Sequence, residues 1–443
     1  MQFTLAPNTQ TVLIGVTLLG IACGVIGSFA VLRRRALVGD AIAHAALPGV
    51  CVAYFVVGER SLPAFLLGAL CFGLLGVLCL GLIKRFTRVK DDAATAIVLS
   101  SFFGLGLVLT RIVQNQPSGN RAGLDTFLFG KAAGMVNADV ILVGGVSAVA
   151  VLVVVVLFKD FLLVSFDGSF AQAGGLRGGT IAQACLDFLM MALLCLVTAA
   201  GLPAVGVVLV VALLTIPAAA ARFWTDRLGV MIALSAVFGA VAGGVGVAFS
   251  ASATRLSTGP LITLAAVAVF IVSLLFGSRR GIVRAWTQRR RMRHRVVQEN
   301  LLRALYELDE VKDNEAATLA GELAMKRSWS SAVLEREVRR AERQGLVSRV
   351  SDDDRGMAVT LTPKGAASAA EVVKAHRLWE LYLIDGASIA PDHVDRDADA
   401  VEHVLPPELV SRLEAKLRAE GRLPEQLPTS PHTIVPSSAG AHD

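Results

Sequence analysis

Between Thr11 and Phe276, apolar stretches of about 20 residues follow one another with only short polar breaks. A stretch of about that length is what an α-helix needs to cross the ~30 Å hydrocarbon layer of a bilayer. Lipid offers the backbone no hydrogen bonds, so each run has to satisfy its own N–H and C=O groups, and a helix does so locally. Only 18% of the 443 residues are charged, against roughly 25% in an ordinary soluble domain, and even that average conceals a division. From Ser278 onward the chain turns polar and charged and reads as a soluble protein. The expected fold is therefore an all-α polytopic membrane domain of about 8–9 transmembrane helices, followed by a separate cytoplasmic domain. The first apolar run, Thr11 to Leu32, is too long for a signal-peptide core and has no basic residue ahead of it, so it reads as a spanning helix. The six cysteines (Cys23, Cys51, Cys71, Cys79, Cys185 and Cys195) all fall in the apolar part without a CxxC spacing. They read as buried thiols rather than a metal or redox motif.

Hydropathy places spans near 11–32, 37–58, 62–83, 93–112, 138–158, 180–200, 204–222, 228–250 and 258–276. Basic residues close the odd-numbered ones: Arg33 to Arg35, then Lys84, Arg85, Arg88 and Lys90, then Lys159, then Arg222 and Arg227, then Arg279 and Arg280. Because Lys and Arg collect on the cytoplasmic side, this pattern predicts a plasma-membrane protein with its N-terminus outside and its C-terminus inside. The segment 114–137 is too short and too charged to span, and reads either as a re-entrant segment or as an outer loop. Gly and Ala crowd the spans, as in Gly239 to Gly246, and small residues let membrane helices pack closely.

One site stands out within the spans. Asp40 and His44 are four residues apart in the run Leu37 to Val50 (LVGDAIAHAALPGV), so on a helix they share a face. His44 is the only histidine before His294. Ionisable residues inside a membrane are costly and by default mark a pathway. A carboxylate with an imidazole suits Mn²⁺, Fe²⁺ or Zn²⁺. On residue types alone a second reading stands beside this one, in which the pair merely caps a helix near the Arg33–Arg35 cluster.

The same run resembles the signature of the permeases of the zinc/manganese/iron family of ABC importers, in which a Ser- or Gly-Asp-Ala-x-x-His-Ala-x-Leu-Pro-Gly run is the hallmark. Phe166 to Gly175 (FDGSFAQAGG) looks like that family's cytoplasmic coupling helix, with Gly168 where proline is usual, and Leu213 to Arg222 and Ser257 to Leu261 match its later spans. The resemblance covers roughly residues 10–277. It implies that Asp40 and His44 line a metal path, and that Phe166, Asp167, Ala171 and Gly175 couple to a separate ATP-binding subunit. It further implies a second permease chain, identical or paralogous, and an extracytoplasmic solute-binding protein. The chain carries no phosphate-binding G-x-x-x-x-G-K-[ST] loop, so no nucleotide site is expected on it, and it reads as a transport subunit rather than an enzyme.

The polar part opens with eight arginines and no acidic residue between Arg279 and Arg295, a juxtamembrane cluster suited to anionic lipid. The expected division is 1–277 for the permease, 278–295 for a basic linker, 296–365 for a winged helix, 366–424 for a helical domain and 425–443 for a disordered end. Helices at 296–308, 315–325 and 330–344 followed by a hairpin (346–350 and 357–361) make the winged-helix pattern. Arg336, Arg339, Arg340 and Arg343 on its last helix are the candidates for DNA contact, opposed by Glu335, Glu337 and the aspartates of the turn. Further on, His376 and Glu380 are four apart, and Asp399, Glu402 and His403 repeat a helical face. Residues 296–417 resemble the iron- and manganese-dependent repressors of the DtxR/MntR type, with HRLWE (376–380) and VEHVL (401–405) in their metal-binding region. That resemblance implies a divalent transition metal as regulatory ligand on His376, Glu380, Asp399, Glu402 and His403. It also puts Asn300 and Arg303 where further ligands would complete the family's sites, and arginine cannot ligate a cation. The combined reading is a metal-importer permease (Mn or Fe, with Zn open) fused to a metal-responsive, repressor-like domain that gates transport or binds DNA. The rival reading is a membrane-anchored repressor with transport secondary or absent.

Overall fold

The computed structural model describes residues 7–33, 35–58, 61–115, 134–166, 179–252, 256–311, 318–327, 329–352, 356–387 and 407–419. The chain divides into two units, Met1–Ala285 and Trp286–Asp443, each described by itself.

The first unit is helical throughout its described residues: α1 (Pro7–Leu32), α2 (Ala36–Val57), α3 (Leu62–Phe86), α4 (Asp91–Gln114), α5 (Asn137–Val156), the short α6 (Phe158–Phe166), α7 (Gly179–Val205), α8 (Val207–Arg222), α9 (Leu228–Ser252) and α10 (Thr258–Phe276). Eight of these, all but α6 and α8, are long and apolar enough to cross a membrane among the described residues. α1 runs through the middle, with Val16, Leu19, Cys23, Ile26 and Phe29 almost wholly buried. It packs on α9, α8 and α5, while α2 packs on α3 and α4. Glycine makes close crossings possible. A Cβ on Gly20 would run into the backbone of Gly239 on α9, and one on Gly49 into the backbone of Gly68 on α3, so only hydrogen fits between those helices. The outer helices α3, α4, α5 and α10 turn Leu67, Val108, Ile141, Val156 and Leu264 outward, the surface that lipid rather than water would cover.

The seventh expected span, 204–222, departs from its sequence-based reading. α7 continues through Pro203 to Val205, and the break falls at Gly206, whose φ of 82° ends the helix. What remains is α8, with 16 residues, about 24 Å at 1.5 Å per residue. It need not reach both surfaces, because its sides meet protein: Leu209, Val210, Leu213, Leu214 and Pro217 are buried, against α1, α9 and α10. Most of the segment 114–137, residues 116–133, lies outside the described residues.

The division between the units falls inside α11 (Ile282–Val311). The stretch 278–295, expected as a linker, is thus helical from Ile282 onward. In the second unit β1 (Thr318–Leu319), α12 (Ala320–Arg327), α13 (Ser331–Arg343), β2 (Val347–Asp352) and β3 (Gly356–Leu361) follow. The sheet order is β1-β3-β2, antiparallel, with Val350 opposite Ala358 and Thr318 opposite Val359. The helix expected at 315–325 therefore begins only at Ala320, because Thr318 and Leu319 add an edge to the hairpin. Gly345, at φ 69°, ends α13. The N–H of Leu346 donates to the Ala341 carbonyl at 3.0 Å and that of Gly345 to Glu342 at 2.9 Å, the paired bonds of a Schellman motif. Leu301, Leu305, Leu323, Leu334, Val338 and Val359 make the core. Helix α14 (Pro363–Ala387) starts on a proline behind Thr362, whose Oγ1 accepts from the Gly365 N–H at 3.0 Å. It packs on α15 (Pro407–Ala419) through Leu378, Leu413 and Leu417.

Candidate functional site

The Asp40–His44 pair sits on the first half of α2, whose other faces are consumed by packing. Ala45 lies over Gly76 of α3, Leu47 fills the space left by Gly106 of α4, and Gly39 meets Leu194 and Leu214 of α7 and α8. Alanine and glycine around the pair follow from that crowding. Among these buried neighbours the two polar side chains keep some accessible surface, 35% for Asp40 and 21% for His44. Asp40 Oδ1 and His44 Nε2 are 3.5 Å apart, too far for a good hydrogen bond. Two donors at that spacing can both reach one ion at ~2.1 Å with an angle of about 110°, close to tetrahedral. The imidazole is held edge-on against Phe103 of α4, with ring centroids 4.8 Å apart. His44 Nδ1 is buried without a hydrogen-bond partner. Pro48, one turn on, has no N–H to offer the His44 carbonyl, so a third oxygen at this level is left without its helical donor. Among the described residues no three His, Cys, Asp or Glu side chains gather to hold a metal ion. Two side-chain donors suit a passing ion better than a stored one, since transit requires binding weak enough to release.

A second polar contact was missed by the sequence reading. Asp187, within α7, pairs with the Arg33 guanidinium at the end of α1, and Arg35 Nη2 lies 3.8 Å from its other oxygen. Arg33 Nε also donates to Ser165 Oγ on α6 at 3.1 Å, and α6 is seated by Phe161 against Phe29. The signal was available: an aspartate inside an apolar span is costly and calls for a partner. Of the coupling residues, Phe166 ends α6 with an exposed ring, whereas Asp167, Ala171 and Gly175 lie outside the described residues. With the Arg33 side chain 8% exposed, Asp187→Ala strands a buried cation and should lower stability by about 3 kcal/mol, read as thermal unfolding in micelles. A change below about 0.5 kcal/mol, the range of an exposed pair, would show that water screens the contact.

In the second unit, Arg336, Arg339 and Arg343 are exposed on α13 and Arg340 is half-buried. Arg339 pairs with Glu335 and holds that carboxyl below its usual range through a hydrogen bond and its charge. Arg340 lines a basic groove with Trp286, Arg290, Arg291, His294 and Gln344. His376 is 1% exposed on α14. Its Nδ1 lies 3.0 Å from Nη1 of Arg303 on α11, and Arg303 Nε donates to Glu307 at 2.6 Å. Arginine only donates, so Nδ1 accepts and the ring proton resides on Nε2. The described part of the expected sensor site is therefore built around a guanidinium, and a divalent ion at His376 does not fit beside it. The Glu380 side chain and Asp399, Glu402 and His403 lie outside the described residues.

Eight membrane-length helices among the described residues, with an ionisable pair on one of them, define a multi-pass membrane protein. The chain belongs to the ABC 3 transport family, which it matches over residues 6–277. Residues 362–429 match the iron dependent repressor, metal binding and dimerisation domain. The manganese transport system membrane protein MntC of Bacillus subtilis (strain 168) is 39% identical over 95% of this chain and 94% of its own length. The zinc transport system membrane protein TroC of Treponema pallidum (strain Nichols) is 40% identical over 63% of this chain and 93% of its own. Among solved structures, PsaBC from Streptococcus pneumoniae in complex with Fab aligns with a TM-score of 0.55 at 34% identity, covering 62% of this chain and 94% of that one. The chain is thus the permease part of an ABC transporter carrying a repressor-like C-terminal domain, as its residues had suggested.

Proposed function

We propose that this chain carries Mn²⁺, Fe²⁺ or Zn²⁺ inward across the plasma membrane, with Asp40 and His44 lining the ion's path and ATP hydrolysed on a separate subunit. The observation that carries this reading is the 3.5 Å pairing of a carboxylate oxygen and an imidazole nitrogen on a stretch of helix packed largely among apolar neighbours. The manganese and zinc relatives support the substrate class. Basic residues after the odd-numbered spans support an outer N-terminus and a cytoplasmic tail. In this arrangement Phe166, Asp167, Ala171 and Gly175 meet the ATP-binding subunit, a second permease chain closes the path, and a solute-binding protein delivers the ion outside. The tail is a regulatory domain. The remaining candidate ligands Glu380, Asp399, Glu402 and His403 are supported by the match over 362–429, and Arg336, Arg339, Arg340 and Arg343 are its candidates for DNA contact.

The test is uptake into vesicles that hold this chain, its second permease chain and the ATPase. ATP-driven accumulation of at least one of the three ions is expected, and accumulation of none would overturn the reading. Coupling has its own check. Ala171→Trp puts an indole where a small side chain would enter the ATPase surface. It should abolish ATP-driven uptake and co-purification of the ATPase together, and unchanged association would move the coupling element elsewhere.

A further inference from the structure

We infer that Arg303 is the resident cation of the tail: its guanidinium occupies the place beside His376 where a metal ion would sit, and holds α11 to α14 without metal. The inference rests on the repressor-like reading of residues 362–429 and turns on where that reading fails to fit.

Arg303 is 4% exposed and His376 1%. A guanidinium taken that far out of water is costly unless its donors are used. Here Nε serves the Glu307 carboxylate one turn along α11, and Nη1 serves the His376 ring on α14, 73 residues away in sequence. A metal ion ligated by the same ring would need a lone pair on one of its nitrogens. Nδ1 has given its lone pair to Arg303, and Nε2 carries the proton. Freeing Nε2 would move that proton to Nδ1, where it would point at the guanidinium N–H. Ligation at either nitrogen therefore requires Arg303 to leave, and a second positive charge would arrive beside one that cannot be deprotonated. A neighbouring contact works in the same direction: Arg377, adjacent to His376 on α14, bonds Glu310 of α11 at 2.5 Å. Both of these contacts between the helices, drawn from the described residues, are guanidinium bridges that need no metal. This joint does not report metal, and any metal response of the tail has to arise at other residues.

The experiment uses the full chain in detergent micelles carrying Asp40→Asn and His44→Ala, so that the membrane pair contributes no binding. Mn²⁺ bound per chain is measured by equilibrium dialysis with and without His376→Ala. The expected result is no change, and a fall in bound Mn²⁺ on His376→Ala would overturn the inference. Arg303→Glu, which exchanges the cation for a carboxylate beside the ring, should add a Mn²⁺ site at least tenfold tighter than any His376-dependent binding in the parent. That site should vanish in Arg303→Glu with His376→Ala. A second readout needs no metal. Trp286, Trp329 and Trp379, three of the four tryptophans, lie in the second unit, so fluorescence follows its unfolding. With chelator present, Arg303→Gln should lower that midpoint by about 5 °C, and an unchanged midpoint would remove the guanidinium from its bridging role. Transport is not measured in any arm, so the importer reading can fail without touching this result.

Discussion

Asp40→Asn combined with His44→Ala should reduce metal uptake at least a hundredfold while the chain remains inserted and bound to its ATPase. The amide is a poorer ligand than the carboxylate and the methyl group is none, so at this level of α2 the ion keeps only an amide and the backbone carbonyl of residue 44. A hundredfold loss corresponds to about 2.7 kcal/mol of barrier, a modest demand for removing two ligands from an ion that has begun to shed its water. Both side chains keep some accessible surface, and the packing lost is that of the His44 ring on Phe103, so the chain should still fold. The measurement is the initial rate of ATP-driven uptake, normalised to inserted protein. Normal uptake by a well-expressed double variant would remove the pair from the path.

Gly20→Leu should prevent the membrane unit from assembling. The new Cβ would meet the Gly239 backbone, which cannot rotate aside as a side chain can. The rest of the leucine would have to separate α1 from α9, the two helices that share the longest contact in the unit. Overpacking a core costs about 1–3 kcal/mol where side chains can adjust. Prying apart two backbones costs more, against a total stability of about 5–15 kcal/mol. The expected observation is loss of monodisperse protein after detergent extraction. Gly81→Leu provides the control, because nothing lies within 4 Å of a Cβ there, and it should extract normally. A stable Gly20→Leu chain would show that the α1–α9 crossing is looser than drawn.

Much of the membrane unit was legible because two local rules carry it. Runs of about 20 apolar residues become helices wherever lipid withholds hydrogen bonds, and residues four apart share a helical face. Those rules found the eight membrane-length helices of the described residues and set Asp40 beside His44. In the tail, the helix expected over 330–344 ended at Gly345, whose φ of 69° closes α13, and the expected hairpin followed. Local rules failed where neighbours decide. The break between α7 and α8 was expected over residues 201–203, yet Pro203 remained helical and Gly206 made the break, since helices packed alongside tolerate a lost bond but cannot supply a positive φ. Thr318 and Leu319 were drawn into a sheet by β3, a partner 40 residues on.

The sequence by itself determined that this chain crosses a membrane repeatedly and which helix carries the ionisable pair, because both are written in spacing and hydropathy over a few turns. The repressor-like domain was read instead from the resemblance of its motifs. Only the tertiary structure decided which charges meet. Arg33 and Asp187 are 154 residues apart, and Arg303 and His376 are 73 apart. Nothing in either local sequence names the other, since a buried charge takes whichever partner the packing of the helices brings to it.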